Sequence, residues 1–465
     1  MLAVIEALAG CMGHRPPLPA RSRVEPPAAW RHGADRQSGP VSATWWHEFG
    51  DGSLDALVER ALSENDDLQI AVAHVEEVRA TLRLSRAVLL PHIAVEADGI
   101  REAGINPFGI ADQQTGSGFG ASIAYDTDLF GRLRSERGAA RARLLESEGN
   151  RDALRLFVAA AAAASYISLC GLDTRLEIAQ STLALRGDSL RVAQRRYEQG
   201  YSTALDLKQA EAEYLLAQRL VPQLHLAIET QENALSTLLG DAPNAITRGS
   251  RLSGIHMPDL PSALPSAVVR QRPDIFAGEE RLIAADRELS ASRAAFLPNI
   301  TLQGGAGRAY STLYPEPITL WSIGGSFLAP IFEGGALRAQ QQITASRRDQ
   351  AAFFYRRTVL TAFKEVEDQM TTIEDSSTQL QILQNQVDAL AVATRLATRR
   401  YRTGYSSYLE QLDAERGLLD AQLALVQVKV AQLLAYVDLF RALGGGWQQP
   451  RGESADIHLT TETSK

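Results

Sequence analysis

The 465-residue sequence is poor in cysteine, in lysine and in net positive charge. Its two cysteines, Cys11 and Cys170, are too few for a disulfide framework or a cysteine-rich metal site. Its 55 acidic residues outnumber its 47 basic residues and give a formal net charge of −8. A protein that coats nucleic acid would carry the opposite balance, so we exclude nucleic acid as a partner.

Catalytic and cofactor-binding motifs are also missing from the sequence. The eight histidines are scattered without the spacing of metal ligands, and there is no phosphate-binding loop, nucleophile elbow or zinc-protease helix. We therefore predict neither an enzyme nor a cofactor. The longest uncharged stretch, 156–172, is mostly alanine and marginally long for a bilayer. We expect a closely packed helix there, with Cys170 as a buried and inert thiol.

The chain contains two copies of one unit. The heptapeptide RYEQGYS at 196–202 recurs as RYRTGYS at 400–406, an offset of 204 residues. Three further short motifs recur in the same order at offsets between 202 and 207. Such regular recurrence indicates a tandem duplication. We place a signal at 1–11, an extended segment at 12–52, the copies at 53–245 and 263–446, a linker at 246–262 and a tail at 447–465.

Each copy predicts the order helix, strand, strand, long helix, helix. The first helices are expected at about 53–88 and 263–295. Alternating segments near 93–98, 119–129, 300–307 and 321–327 predict four strands with one apolar face and one small, polar or acidic face. Asp126 and Asp128 fall on the polar face. Four strands cannot close a barrel, whereas two chains would supply eight strands and three chains twelve. If the apolar face meets lipid, the backbone must pair in a closed ring and the chain must oligomerise.

Two unusually long helices are predicted, from Arg132 to Gly200 and from Ala336 to Gly404, each on the order of 100 Å in length. The second contains a heptad seam that also appears at the equivalent positions of the first, with Arg186 as its one break. Returning helices at about 203–239 and 406–443 complete two coiled-coil hairpins. Their tips lie at Gly200 and Tyr201 in the first copy and at Gly404 and Tyr405 in the second; the seam is Leu380, Leu383, Val387, Leu390, Thr394, Ala397 and Tyr401.

The N-terminus resembles a bacterial lipoprotein signal. Small residues precede a cysteine in Leu8-Ala9-Gly10-Cys11, an arrangement in which the cysteine becomes lipidated and N-terminal after cleavage. We therefore predict lipid attachment at Cys11. The alternative is a chance cysteine in a frayed terminus, because the preceding apolar run is short and contains Glu6 but no Lys or Arg.

Together these features resemble the TolC-like outer-membrane efflux factors, and most closely the NodT-type lipoprotein subgroup that partners resistance–nodulation–division pumps. The resemblance rests on Cys11, the duplicated order of elements and the Arg-Tyr-x-x-Gly tips. It also rests on RPDI at 272–275, AFLP at 295–298 and LGGGW at 443–447. It implies a mainly α-helical subunit with a small membrane β-barrel, whose homotrimer forms a twelve-stranded barrel and a twelve-helix periplasmic tunnel.

The resemblance implies a passive exit duct. The protein would be lipid-anchored in the cell outer membrane, extend into the periplasm and carry drugs or other small toxic compounds outward. Its partners would be outer-membrane lipid, a periplasmic adaptor that contacts the hairpin tips, and an inner-membrane resistance–nodulation–division pump. The alternatives are a pore-less coiled-coil structural lipoprotein, or a duct for metal-ion efflux or type I secretion.

Leu409 and Asp413 fall at positions that resemble the family's periplasmic gate. Being four residues apart, they lie one above the other on one helix face. Three copies would form an apolar ring and an acidic ring, of which the first can gate by dewetting and the second favours cations. Arg416 would hold the tip closed by pairing with a neighbouring helix; the alternative is a solvated pair between Asp413 and Arg416. Gln209 is the first-copy equivalent of Asp413, so only the second copy supplies the acidic ring.

Overall fold

The structure is a computed structural model that describes residues 16–31, 41–105, 108–260, 265–312 and 315–449. Cys11, the predicted signal and most of the predicted tail lie outside these ranges. The chain divides into two compact units, and each unit takes segments from both sequence copies. The sheet unit comprises Met1–Val24, Val72–Gly149 and Phe276–Thr358, and the hairpin unit comprises Glu25–Ala71, Asn150–Ile275 and Val359–Lys465.

The elements follow the predicted order in both copies, which confirms a mainly helical chain with four strands. The first copy contains α1 (Gly52–Glu64), α2 (Asp66–Ala87), β1 (His92–Ile105), β2 (Ala111–Asp126), α3 (Arg132–Glu198) and α4 (Ala204–Leu238). The second contains α5 (Pro265–Gln271), α6 (Pro273–Ala294), β3 (Asn299–Ser311), β4 (Ile318–Leu328), α7 (Ala336–Arg402) and α8 (Tyr408–Ala442). Both β1 and β2 are longer than the alternating segments that predicted them.

The prediction of one continuous first helix in each copy is wrong. In the first copy Asn65 ends α1 with an extended backbone, donates from Nδ2 to the Leu238 carbonyl at 2.9 Å and accepts from the Leu68 N–H at 3.1 Å. In the second copy Pro273 begins α6 and has no N–H to continue the ladder of α5. The residue before a proline also avoids the helical region, so the break falls at Arg272.

In the sheet unit the four strands form one antiparallel sheet in the order β1-β2-β3-β4. The register aligns Ile93 with Ile123, Ile123 with Gly304 and Gly304 with Ile323. The next residue of β1 is Ala94. It aligns across the sheet with Ser122 on β2, Gly305 on β3 and Ser322 on β4. Aligned residues share a face, so the predicted division into an apolar face and a small or polar face is confirmed.

The middle of the sheet depends on a pair of facing glycines. Gly120 on β2 aligns with Gly307 on β3. A Cβ at Gly307 would lie 2.5 Å from the Phe119 carbonyl oxygen, closer than any side chain tolerates. The two central strands therefore approach each other on the small face in a way that only glycine permits.

Asp128 does not lie on the polar face of a strand, contrary to the alternation. It follows the end of β2 with a positive φ of 46° and caps α3. Its carboxylate accepts from the Leu133 N–H at 2.8 Å and from the Arg134 N–H at 2.9 Å. A carboxylate at a helix N-terminus satisfies unpaired N–H groups and opposes the helix dipole. Asp126 does belong to β2, where it accepts from the Thr301 hydroxyl at 2.6 Å.

Among the described residues, α3 and α8 each contain a window long and apolar enough to cross a bilayer by length and composition. About half of each window is buried inside the protein. In α3 the alanine-rich turns predicted to pack closely are buried, and Cys170 is only 2% exposed. This burial confirms the predicted packing of the stretch 156–172.

Candidate gate at the hairpin tips

Both hairpins in the hairpin unit turn at a glycine in the left-handed conformation. Gly200 has φ of +75° and donates its N–H to the Tyr197 carbonyl at 3.0 Å, while the Tyr201 N–H reaches back to the Arg196 carbonyl at 2.7 Å. The second hairpin repeats both bonds at the equivalent positions, with Gly404 at φ of +84°. This pair of bonds is the Schellman motif, which ends α3 and α7 where the repeated heptapeptide predicted.

The predicted tip residues are exposed, and so are all three of the predicted gate residues. Tyr201 and Tyr405 project from the two turns. Leu409 and Asp413 lie within the first two turns of α8, and both are exposed. Their spacing places them on one helix face, as the gate prediction requires.

Directly behind the tips, aromatic side chains join the two hairpins. The rings of Tyr401 on α7 and Tyr408 on α8 lie 5.5 Å apart. They form a buried cluster with Leu412 and two small residues, Ala193 on α3 and Ala210 on α4. The Arg196 guanidinium lies 4.7 Å from the Tyr401 ring centre and donates to the Tyr401 carbonyl at 2.5 Å. Contacts of this kind hold the first hairpin against the second.

Arg416, the third predicted gate residue, pairs with a neighbouring helix of the same chain. Its partner is Glu213 on α4, whose Oε1 accepts from Arg416 Nε at 3.0 Å and also from Nη2. The bond crosses from the second hairpin to the first. The alternative, in which Asp413 would be the partner, is not the pairing that forms.

Glu213, which the sequence patterns did not single out, is bound by two arginines. Its side chain is 6% exposed and its Oε2 lies 2.5 Å from Nη1 of Arg186, whose side chain is 2% exposed. The same nitrogen donates to the Glu213 carbonyl at 3.1 Å. Arg186 is the one break in the first heptad seam, and its buried partner explains that break: a charge among apolar seam positions requires a counter-charge.

The second hairpin replaces this ion pair with an apolar contact. In the second copy the positions equivalent to Arg186 and Glu213 are Leu390 and Gly417. A Cβ at Gly417 would lie 3.3 Å from Leu390 Cδ2, so the leucine covers the bare backbone of α8. The same packing position is therefore filled by an ion pair in the first hairpin and by an apolar contact in the second.

A second cluster of buried polar side chains, formed by Ser189, Gln411 and Glu415, lies beside the ion pair. Gln411 Nε2 donates to the Ser189 hydroxyl at 2.8 Å and to Glu415 Oε1 at 2.6 Å, and the Ser189 hydroxyl donates to Glu415 Oε1 at 3.1 Å. Glu415 Oε2 and Gln411 Oε1 are buried without a hydrogen-bond partner among the described residues. Burial is the largest effect on Glu415 and raises the pKa of its carboxyl group. The hydrogen bonds from Gln411 and Ser189 oppose this shift, as does the charge of Arg186, whereas the charge of Glu213 adds to it.

The arrangement is suited to holding the two hairpins together. The described part of the chain contains no group of three His, Cys, Asp or Glu side chains placed to hold a metal ion. Ion pairs and hydrogen bonds connect the hairpins behind the exposed side chains of Leu409 and Asp413.

Known proteins resemble the chain over nearly its whole length. The family model for outer membrane efflux proteins matches residues 57–241 and 264–445. The pyoverdine export outer membrane protein OpmQ of Pseudomonas putida is 31% identical, over 93% of this chain and 94% of its own. The probable efflux pump outer membrane protein TtgC of the same species is 33% identical over 94% and 93%. The open-state structure of the Neisseria gonorrhoeae outer membrane channel MtrE has a TM-score of 0.82 at 29% identity, over 94% of this chain and 98% of that one.

Proposed function

The chain belongs to the outer membrane efflux protein family, and on that basis we propose that it is the passive exit channel of a tripartite efflux system. The observation that carries the proposal is the family match to both copies, including both hairpins and all four strands. The relatives named for efflux pumps and for pyoverdine export are outer-membrane components of export machinery. An adaptor and a resistance–nodulation–division pump in the inner membrane would complete the assembly and supply the energy.

We propose that three chains share one barrel. Among the described strands, β1 and β4 each pair on one side only, which leaves an edge of 14 and of 11 residues. Open edges of this length promote association, and inside a membrane they must be paired. The exposed apolar face supports a position in lipid, since Trp321 is 76% and Ile323 84% exposed. Three sheets would give twelve strands around a water-filled lumen.

The channel would be closed at the hairpin tips. Three copies of Leu409 would form an apolar ring and three copies of Asp413 an acidic ring, which favours cations. The bond between Arg416 and Glu213 would hold α8 against α4 in the closed state. The turns at 200–201 and 404–405 would contact the adaptor, whose binding would loosen the hairpins.

Lipid on Cys11 would anchor the protein to the outer membrane. The support is the sequence of small residues before the cysteine. The described chain begins five residues later with two prolines, Pro16 and Pro17. Mass spectrometry of the mature N-terminus tests this part alone, because an unmodified cysteine or an earlier cleavage site would contradict it.

The whole proposal is tested by two experiments. A barrel trimer should migrate as a heat-modifiable species on gels and conduct ions in planar bilayers, whereas a pore-less structural lipoprotein should do neither. Deletion of the gene should raise susceptibility to small toxic compounds. Altered tolerance of metal ions alone, or loss of a secreted polypeptide, would instead indicate a duct for metal efflux or for type I secretion.

A further inference from the structure

The contact that joins the two hairpins of one chain has two different sides. On the first hairpin, Val192 of α3 packs against the buried aromatic cluster. The Arg196 guanidinium lies over the Tyr401 ring and donates to the Tyr401 carbonyl. On the second hairpin, Tyr401 and Tyr408 belong to that cluster and are 2% and 1% exposed. We call the first side the arginine face and the second side the tyrosine face.

The duplication gives each hairpin both faces. At the repeat offset of 204 residues, Arg400 on α7 corresponds to Arg196, so the second hairpin has an arginine face of its own. Tyr197 on α3 corresponds to Tyr401, so the first hairpin has a tyrosine face of its own. The contact within the chain uses the arginine face of the first hairpin and the tyrosine face of the second.

The other two faces are accessible in the described chain. Arg400 is 60% exposed and lies 3.7 Å from Glu410, in an exposed ion pair of the kind that contributes little. Leu396, the equivalent of Val192, is 56% exposed. Tyr197 is 45% exposed, although its counterpart in the second hairpin is buried. Both sides of the contact are thus present a second time, and both face outward.

The open tyrosine face has the chemistry that an arginine requires. In the contact within the chain, the Tyr401 carbonyl accepts from the Gly404 N–H at 3.0 Å and also from Arg196. The Tyr197 carbonyl accepts from the Gly200 N–H at 3.0 Å as well, and a carbonyl oxygen has two lone pairs. Tyr197 therefore offers the same acceptor, next to an aromatic ring over which a guanidinium can stack.

The two open faces also match in size. Ala204 on α4 replaces Tyr408 in the open tyrosine face, and Leu396 replaces Val192 in the open arginine face. When the faces pair, a larger apolar group on one side stands opposite a smaller group on the other. Such an exchange preserves part of the packed volume, which is the kind of change that a packed contact tolerates best.

We propose that the open arginine face of one chain binds the open tyrosine face of a second copy of the chain, with Arg400 stacked on the neighbour's Tyr197. The two faces differ, so the contact is head-to-tail, and such contacts form a ring when the rotation between copies closes. The inference deepens the proposed function and rests on its trimer. The two hairpins of each chain would be joined around the ring by one kind of contact, alternately within and between chains.

Cysteine pairs distinguish a contact between chains from a contact within a chain. The full-length protein in detergent, carrying Arg400→Cys with Tyr197→Cys, is treated with a short bismaleimide and run on denaturing gels. We expect covalent dimers and trimers. The matched pair, Arg196→Cys with Tyr401→Cys, should cross-link but remain at the mass of one chain, because those residues already touch within it. The single variants control for reaction of the native cysteines.

The outcomes separate the contact from the trimer. Absence of cross-links between Arg400→Cys and Tyr197→Cys, in protein that is trimeric by light scattering, would overturn the contact and leave the proposed function intact. Cross-linking of this pair within one chain would overturn the contact as well. A monomeric mass in detergent would overturn the trimer and the contact together.

Thiol labelling measures the role of the Arg400 guanidinium. The Ala204 side chain is exposed in the chain alone, but the proposed contact covers it, so Ala204→Cys should react with a bulky maleimide only when the contact opens. Loss of a cation–π contact should raise the open population, and with it the labelling rate, by roughly fivefold when Arg400→Gln is added. Arg400→Lys should have a smaller effect, because lysine retains the charge but not the planar fork.

Two comparisons make the labelling decisive. Arg399→Gln changes an exposed neighbour on the same helix and should label like the parent variant. Equal rates for Arg400→Gln and Arg399→Gln would show that the guanidinium does not hold the contact. Tyr201→Cys, at the exposed turn, reports the rate of an uncovered thiol, and an equally fast reaction of Ala204→Cys would overturn the covering of this face by a neighbour.

Discussion

Glu213→Gln is the sharpest perturbation of the proposed gate, because one carboxylate binds arginines from two helices. The substitution keeps the size and the polarity of the side chain and removes its charge. Arg186, whose side chain is only 2% exposed, would then hold a positive charge without its closest counter-charge. Removal of one partner from a buried ion pair costs about 3–5 kcal/mol. The pair with Arg416, whose side chain is 52% exposed, contributes no more than about 1 kcal/mol.

Single-channel recording in planar bilayers measures the consequence. A loss of about 3 kcal/mol per chain that falls on the closed tip alone would raise the population of loosened tips by roughly a hundredfold. We therefore expect Glu213→Gln to increase both the mean conductance and the frequency of high-conductance events. Arg416→Gln, which removes only the exposed half of the contact, should produce a much smaller increase.

A double variant separates charge from packing. Arg186→Leu combined with Glu213→Ala removes both buried charges and approximates the apolar contact of Leu390 with Gly417. Apolar replacement of a buried pair is often neutral or stabilising, so the double variant should conduct more like Arg416→Gln than like Glu213→Gln. If Glu213→Gln conducts like wild type, or if the double variant opens as widely as Glu213→Gln, the buried ion pair does not hold the tips.

Three further predictions concern residues of the hairpin unit. Asp413→Asn should lower the cation preference of the channel, read from reversal potentials in a salt gradient, because it removes the charge of the proposed acidic ring. An unchanged reversal potential would exclude Asp413 from the conduction path. Burial raises the pKa of Glu415, so the form in which Glu415 is buried, which is the closed form of the proposed gate, binds this proton more tightly than a form in which Glu415 is solvated. The closed form is then favoured most at low pH and loses stability as the pH rises through the raised pKa. Conductance should therefore increase with pH in wild type and increase less in Glu415→Gln. Equal pH profiles of conductance in the two proteins would exclude Glu415 as the cause of the pH dependence. Gly444→Ala should lower the thermal stability of the protein strongly, because Gly444 has φ of +92° and an added Cβ would lie 2.0 Å from the Gln271 carbonyl oxygen. Gly52→Ala, where a Cβ would meet open space, should leave the melting temperature nearly unchanged.

Local patterns predicted most of the fold because the forces that they report are local. The repeated Arg-Tyr-x-x-Gly sequence predicted the ends of α3 and α7, since only glycine takes the left-handed conformation there without strain. The alternation along β2 predicted its apolar face, since neighbouring residues on a strand must point to opposite sides. The pattern failed at Asp128, because an aspartate that caps a helix and an aspartate on a strand face fit the same alternation.

Breaks caused by distant partners were not visible in the sequence. Asn65 ends α1 with help from the Leu238 carbonyl, which is remote along the chain. The break of the heptad seam at Arg186 was visible in the sequence, and the position of its partner could have been inferred from the hairpin. Arg186 precedes the tip glycine by nearly the same length of chain as Glu213 follows it, so the two meet across a symmetric hairpin. The bond from Arg416 to Glu213 had no such signal, because it depends on how two hairpins from different copies pack together.

The duplication itself argues that the first hairpin does not need the buried ion pair in order to fold. A buried ion pair is weak evidence for stability, because well-packed apolar residues usually do as well. The second hairpin shows this within the same chain, since Leu390 against Gly417 fills the corresponding position without any charge. The first hairpin could therefore form without Arg186 and Glu213. What the apolar contact does not provide is a carboxylate for Arg416 on the other hairpin, and in the proposed gate that link would have to break for the tips to part.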